Sequence, residues 1–250
     1  MSPSAQARND FPTEAMGFHT THWTIVLGAR DGDGIAGQEA LASLCSTYWY
    51  PLYAFIRRSG FTPHDAEDLT QGFFYAFLSK DSLTNVNPEA GKFRSYLLVC
   101  LKHYLSNERR RGQAQRRGAG VPFVRLDRDE AETRYLAEPA DNVTPDVLYE
   151  RRWAFEVLDR VLANLREEYS RRNKSALFDD LRGLLPGEGA SISRANLSIR
   201  HGMSAGAMDV AIHRFRQRFG TLLRAQVAQT VSSADEIEPE LRYLISVLGS

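Results

Sequence analysis

The chain has 250 residues, of which 43% are hydrophobic and 25% charged, the balance of a globular protein with a core to bury. Its 31 basic and 31 acidic residues cancel, which excludes a bulk basic signature for nucleic acid and confines any such signal to local clusters. Two cysteines exclude a disulfide scaffold, and no run approaches the roughly 20 apolar residues of a membrane span.

The first stretch, "MSPSAQARNDFPTEAMG", is polar and has no apolar signal core, so residues 1–18 are expected to form a loose tail. Helical spacing dominates thereafter and strand alternation is scarce, which predicts an all-α fold. A first helix covers residues 23–29. In "GQEALASLCSTYWYPLYAFIRRSG", Leu41, Leu44, Cys45, Tyr48, Leu52 and Phe55 form one apolar stripe. Pro51 removes a backbone donor and can kink this helix, and Gly60 closes it. Thr62, Pro63 and Asp65 carry a helix start: a cap, a first-position proline and a capping-box acid. Ala66, Leu69, Phe73, Ala76 and Phe77 then make an apolar stripe, with Glu67, Asp68, Gln71, Phe74 and Tyr75 on the opposite face.

"KDSLTNVNPEAGKF" is rich in turn formers and reads as a loop. "FRSYLLVCLKHYLSNERRR" follows as a long helix, apolar at Tyr96, Leu97, Cys100, Leu101, Tyr104 and Leu105 and basic at its end. Cys45 and Cys100 both fall in apolar helical patterns and read as free buried thiols, which suits a reducing cytoplasm. The period fails over residues 112–144, where Gly, Pro and charge mix, so that span is expected to be a linker carrying one helical turn. Helices resume at "PDVLYERRWAFEVLDRVLANLREEYSRR", "KSALFDDLRGLLPG" and beyond. The expected organisation is two helical domains, 19–111 and 145–231, joined by that linker and followed by an acidic helical extension at 232–250.

"NLSIRHGMSAGAMDVAIHRFRQRF" has the layout of a helix-turn-helix. Ser198 is small where the second helix crosses, Gly202 suits a left-handed turn, and Ser204 can cap the second helix. Met208, Ala211 and Ile212 would face inward, leaving His213, Arg214, Arg216 and Arg218 for a DNA groove and its phosphates. The competing reading is a helical hairpin with a solvated basic face. Asp209 favours caution, since it repels phosphate unless it accepts a hydrogen bond from a cytosine amine. His201 is more polar than the apolar residue usual before such a glycine.

A second basic cluster spans "KHYLSNERRRGQAQRR", where Lys102, Arg109, Arg110, Arg111, Arg116 and Arg117 face a single Glu108. With Tyr96, His103 and Tyr104 interleaved, it could hold a DNA backbone and stack unpaired bases. A solvated helix end leading into a linker is the plain alternative. The six histidines are scattered, and no catalytic, metal or cofactor constellation has a convincing spacing.

The order of these motifs resembles a known family. "DAEDLTQGFF" is similar to the core-polymerase-binding segment of bacterial RNA polymerase sigma factors. "GKFRSYLLVCLKHYLSNERRR" resembles their promoter-melting and −10-reading helix, and "HGMSAGAMDVAIHRFRQRF" their −35-reading helix-turn-helix. The size matches the extracytoplasmic-function group, and "THWTIVLGAR", "YWYPLYAF", "ERRWAFEVLDRVL" and "LLRAQVAQTV" resemble a subgroup abundant in planctomycete-like bacteria. The likeness covers roughly residues 20–245.

The resemblance implies a cytoplasmic binding protein, not an enzyme, that gives core polymerase its promoter specificity. Glu67, Asp68, Gln71, Phe74 and Tyr75 would dock on the clamp helices of the β′ subunit. Lys102, His103, Asn107, Arg110 and Arg111 would hold the −10 strand. Ser204, Ala205, Asp209, His213, Arg214 and Arg216 would read the −35 element, with the second domain also contacting the β flap. Gly72 and His103 depart from the commoner acidic residue and asparagine of relatives, which puts some core contacts and the −10 preference in doubt. The resemblance leaves open whether an anti-sigma factor or other regulatory protein binds. Two other readings stand beside it: a stand-alone helix-turn-helix regulator that dimerises on a palindrome, and a helical interaction module without DNA binding.

Overall fold

Pro51 removes a backbone donor, yet α1 (Ile35–Arg58) runs through it as one helix and ends on Arg57 and Arg58. Gly60, at φ +93°, turns the chain away in a conformation that side-chain-bearing residues resist. The computed structural model describes residues 22–23, 25–26, 35–78, 91–112, 128–137, 143–185 and 193–249. The linker stretch 113–127 and the loop at 79–90 lie outside them. Among the described residues the chain is all-α, with nine α-helices and no strand.

Thr62 accepts a hydrogen bond from the Asp65 amide and caps α2 (Pro63–Phe77), which begins on its proline as expected. The capping box is altered: the Thr62 hydroxyl donates to the Asp65 carboxylate at 2.8 Å. Next come α3 (Phe93–Gly112), α4 (Arg128–Leu136) and α5 (Pro145–Ser170), the last capped by Thr144. The remaining helices are α6 (Ser175–Arg182), α7 (Arg194–Arg200), α8 (Ala205–Ala228) and α9 (Ile237–Leu248).

The centre of the molecule is the middle of α1. From Leu44 to Ile56 it is buried on nearly every side, not on one stripe, because α2 covers one flank and α5 another. A helix apolar all round belongs at the heart of a core. Trp49 stacks on Tyr53 at 5.2 Å, and Tyr48 meets Phe93 of α3 edge-on at 5.4 Å. Cys45 is free and buried, and burial pushes its thiol up to about 12, so it packs as an inert small apolar group.

Two apolar clusters share the chain. The larger unites α1, α2 and α3 with Leu148, Tyr149, Trp153 and Val157 of α5, Val227 of α8, and Leu241 and Leu244 of α9. The smaller joins Leu165, Phe178, Leu181, Leu197, Met208, Ile212 and Phe215 around α6, α7 and the first half of α8. α5 lies along α1 and enters both clusters.

Two details differ from the sequence expectations. Phe74, expected on the exposed face of α2, is 1% exposed and packs beside Phe73 at 5.7 Å. The reason is that α2 touches α1, α3 and α4, so its buried face is wider than one stripe. Within the expected linker, α4 is a nine-residue helix and not a single turn. Charge anchors it: Tyr53 donates to Glu132 at 2.5 Å, Arg57 grips the same carboxylate at 2.9 and 2.7 Å, and Arg134 reaches Glu156 of α5 at 2.6 Å. The acidic extension is helical, in keeping with its sequence, and as α9 it places Glu240, fully buried, against the start of α3. There Arg94 bonds Glu240 and, at 2.6 Å, Glu150, while its guanidinium lies 4.4 Å from the Trp153 ring and 4.7 Å from the Tyr243 ring.

Candidate nucleic-acid interface

Seven residues of α7, a turn and the long α8 make the carboxyl-terminal element. Gly202 takes φ +60°, the left-handed value the turn requires, and Met203 donates its amide back to the Ser198 carbonyl at 2.9 Å. Ser204 caps α8 by accepting from the Ala207 amide at 3.2 Å. Leu197 from α7 and Met208, Ile212 and Phe215 from α8 are buried together, which fixes how the helices cross. The opposite face is open: Ser204, Ala205, Asp209, His213, Arg214 and Arg216 are all exposed. Positions 205, 209, 213 and 216 follow helical spacing, so they share that face.

Both sequence anomalies here have partners. His201 Nε2 lies 2.7 Å from Asp180 Oδ2, and Arg200 donates to Oδ1 of the same nearly buried carboxylate at 2.6 Å. The polar residue before the glycine thus ties the turn to α6. Asp209 lies 3.7 Å from Arg194 of α7, both exposed, so its charge is partly offset in place. Arg218, counted with the basic face, is instead bidentate to Glu168 of α5 at 2.9 and 2.5 Å. That hydrogen bonding holds the Glu168 carboxyl below its usual range. Arg218 therefore joins two helices, while Arg216 touches the Leu184 carbonyl at 3.1 Å and keeps an exposed head.

The second basic surface lies on α3. Lys102, His103, Asn107 and Arg110 are exposed, and Arg111 stands on the last turn with its side chain outside the described residues, as are Arg116 and Arg117. Two faces separate here. His103 and Asn107 point away from the neighbouring helix groove. Lys102, Leu105, Ser106, Arg109 and Arg110 line a cavity of about 430 Å³ against Phe55 of α1 and Ser59 in the turn after it. Lys102 sits 5.7 Å from the Phe55 ring and Arg109 5.0 Å from the Phe61 ring, so both cations rest on aromatic faces. Arg110 bonds the Ser106 hydroxyl at 3.3 Å. Lys102 is also ion-paired with Asp146, in the first turn of α5.

On α2, Asp68 is exposed beside His64 at 3.3 Å, and Tyr75 is 63% exposed. Glu67 and Gln71 are half-buried and bonded to each other at 3.3 Å. Phe74, as described, belongs to the core and is withdrawn from this face. Gly72 has a packing reason: a Cβ there would overlap the Tyr104 hydroxyl of α3.

Sequence reasoning missed Asp180, Asp146, Ser59 and the place of Arg109 in the cavity. The positions 102, 105, 106 and 109 are spaced as one helix face, a signal that was readable; Asp146 and Asp180 act across the tertiary structure and leave none. Among the described residues no group of three or more His, Cys, Asp or Glu could hold a metal ion, and no helix is long and apolar enough to cross a membrane. Comparison with protein-family models, with curated proteins and with solved structures returned no match.

Proposed function

We propose that this chain is a promoter-specificity factor of the sigma type, acting in the cytoplasm by binding and not by catalysis. The observation that carries the reading is the α7–α8 element: a left-handed glycine, a capped second helix, an apolar seam and an outward face bearing His213, Arg214 and Arg216. That is the form a groove-reading helix needs, with phosphate contacts fixing register and base contacts giving choice. A second basic surface on α3, on a separate part of the same chain, supports two points of contact with one promoter.

In this reading the chain works as two functional units. One comprises α1 to α3, with Glu67, Asp68, Gln71 and Tyr75 directed to the β′ clamp helices and Lys102, His103, Asn107, Arg110 and Arg111 to the −10 strand. The other, built on α5 to α8, takes the −35 element through Ser204, Ala205, Asp209, His213, Arg214 and Arg216 and meets the β flap. Asp68 and Tyr75 combine a charge and an exposed ring, a pairing suited to a protein partner.

The test is reconstituted transcription with purified core RNA polymerase on a randomised promoter library, run beside a pull-down of the core enzyme. The expected result is co-purification with core and enrichment of two motifs at fixed spacing. Binding to a palindrome by a dimer, with no retention of core polymerase, would establish the stand-alone regulator instead.

A further inference from the structure

Resting on the reading of α7 and α8 as a DNA-reading element, we propose that Asp209 recognises a cytosine in the major groove and that Arg194 of α7 is its positioning partner. An acid has the wrong charge for a helix that faces phosphates, but its place on α8 gives it another task. The first turn of α8 is Ala205, Gly206 and Ala207, all exposed and none longer than a methyl group. The Ser204 hydroxyl ahead of them is engaged in capping, and Met208 is buried. Asp209 is therefore the first side chain of α8 that can offer a hydrogen bond to a base edge, on the face shared with positions 205, 213 and 216. A groove helix brings its leading end against the bases, and a leading turn without bulk lets the backbone approach closely.

The chemistry of the groove then selects the base. Guanine presents only acceptors there, and thymine an acceptor and a methyl group, so neither satisfies a carboxylate. Adenine presents its amine beside the N7 acceptor, which the second carboxylate oxygen would oppose. Cytosine alone offers a donor with no acceptor on the same base.

Arg194 makes the acid tolerable on this face. Its guanidinium lies 3.7 Å from Oδ1, close enough to offset the charge and too far for a hydrogen bond. Among the described residues no donor takes either oxygen, so the carboxylate keeps its acceptor capacity for a base. The two side chains are 70% and 61% exposed, so the pair adds little to stability and either residue can be replaced without unfolding the chain. An acid near the amino end of a helix also suits the dipole. If that were its whole role, its removal would lower stability and leave base preference unchanged.

The experiment selects duplexes from a randomised library with the full chain, alone and with core RNA polymerase, using core polymerase by itself as the background. Wild type is expected to enrich one position at which cytosine outweighs each other base by about five- to a hundredfold, the span of one mismatched pair. Asp209→Asn should move that position to adenine, whose N6 and N7 an amide takes together, and leave the other positions as they were. Asp209→Ala should erase the preference yet raise affinity for unselected duplex, because a repelling charge leaves the face. Those opposed signs separate base reading from a folding defect, which would lower both. Arg194→Ala should weaken the cytosine preference by about two- to fivefold and lower affinity for unselected duplex. Arg194→Lys should restore most of both, and melting temperatures should stay near wild type throughout.

A cytosine preference that survives Asp209→Ala, or a responsive position that selects another base in the wild type, would overturn the role of Asp209. A preference unmoved by Arg194→Ala would remove Arg194 from it. Enrichment of a motif in which no position responds to Asp209 would overturn the cytosine reader and leave DNA binding by α8 standing. Enrichment of no motif by the wild type, with and without core polymerase, would overturn the DNA reading of α8 and the cytosine reader with it.

Discussion

Replacing Glu240 by alanine removes the carboxylate that α9 buries against the start of α3. Glu240 is fully buried, and its two oxygens face Arg94 and Lys92. Lys92 Nζ lies 2.5 Å from Oε2, close enough for an ion pair but not aligned for a hydrogen bond. Burial pulls the Arg94 pKa down, and Glu150 with Glu240 more than offsets it, so this guanidinium stays charged inside the fold. Removing one partner of a buried pair costs about 3–5 kcal/mol, chiefly for the charge left behind. Here Glu150 still holds Arg94 Nε at 2.6 Å, and Lys92 can turn to water, so the low end, about 3 kcal/mol, is expected. With a urea dependence of about 3 kcal/mol per molar, the denaturation midpoint should fall by about 1 M. Adding Arg94→Met should recover part of the loss, with a coupling of at least about 1 kcal/mol. A midpoint within about 0.2 M of wild type, or losses that simply add, would refute the view that α9 is held by this charge cluster.

Three further predictions come from single side chains. His22 is buried, bonded to the Tyr48 hydroxyl at 3.1 Å, and its pKa is lowered to about 4 by burial and by Arg160. Its folded pKa is the lower one, so stability is full above pH 6.5 and declines as pH falls from there toward 4, by about 3 kcal/mol; His22→Phe should flatten that part of the urea-stability profile. Gly72→Ala should lower the melting temperature despite alanine's better helix propensity, because its methyl group meets Tyr104; with Tyr104→Phe the nearest ring carbon is at 3.6 Å, and the same change should become stabilising by about 1 kcal/mol or slightly less. Phe74→Ala should cost about 3–5 kcal/mol by opening a cavity between α2 and its neighbours, seen in denaturation before any change in partner affinity is measured.

What the sequence made legible was local chemistry. Thr62 and Pro63 start a helix, Gly202 turns left-handed and Ser204 caps because each effect acts within three or four residues. The stripes on α2 and α3 were readable for the same reason, since apolar period reports one covered face. Apolar period is silent where a helix is covered from several sides, so it sets Phe74 outward and gives no sign that α1 is buried all round. It fails again at α4, whose hold on the fold is Glu132 between Tyr53 and Arg57, a contact made by charge with little apolar pattern to betray it. The basic faces of α3 and α8 were visible as composition. The division of α3 into a cavity side and an outer side, and the pairing of Arg218 with Glu168, needed the neighbouring helices.

The segment before α3 gathers strands of chain made far apart in time. The His22 amide bonds the Gln229 carbonyl at 2.7 Å, the Phe93 amide reaches the Thr230 carbonyl at 3.4 Å, and Ser232 donates to Gly91 at 3.3 Å. Trp23 and Leu244 share one apolar cluster. On a ribosome adding about 5–20 residues per second, roughly ten to forty-five seconds separate their appearance. During that interval α1 emerges with its aromatic girdle unclothed until α5 is made, and α5 in turn waits for α9 to pack against it. Such a chain is exposed to chaperones and to its own copies for as long as translation lasts, and slow codons ahead of residue 237 would lengthen the exposure without altering a single side chain.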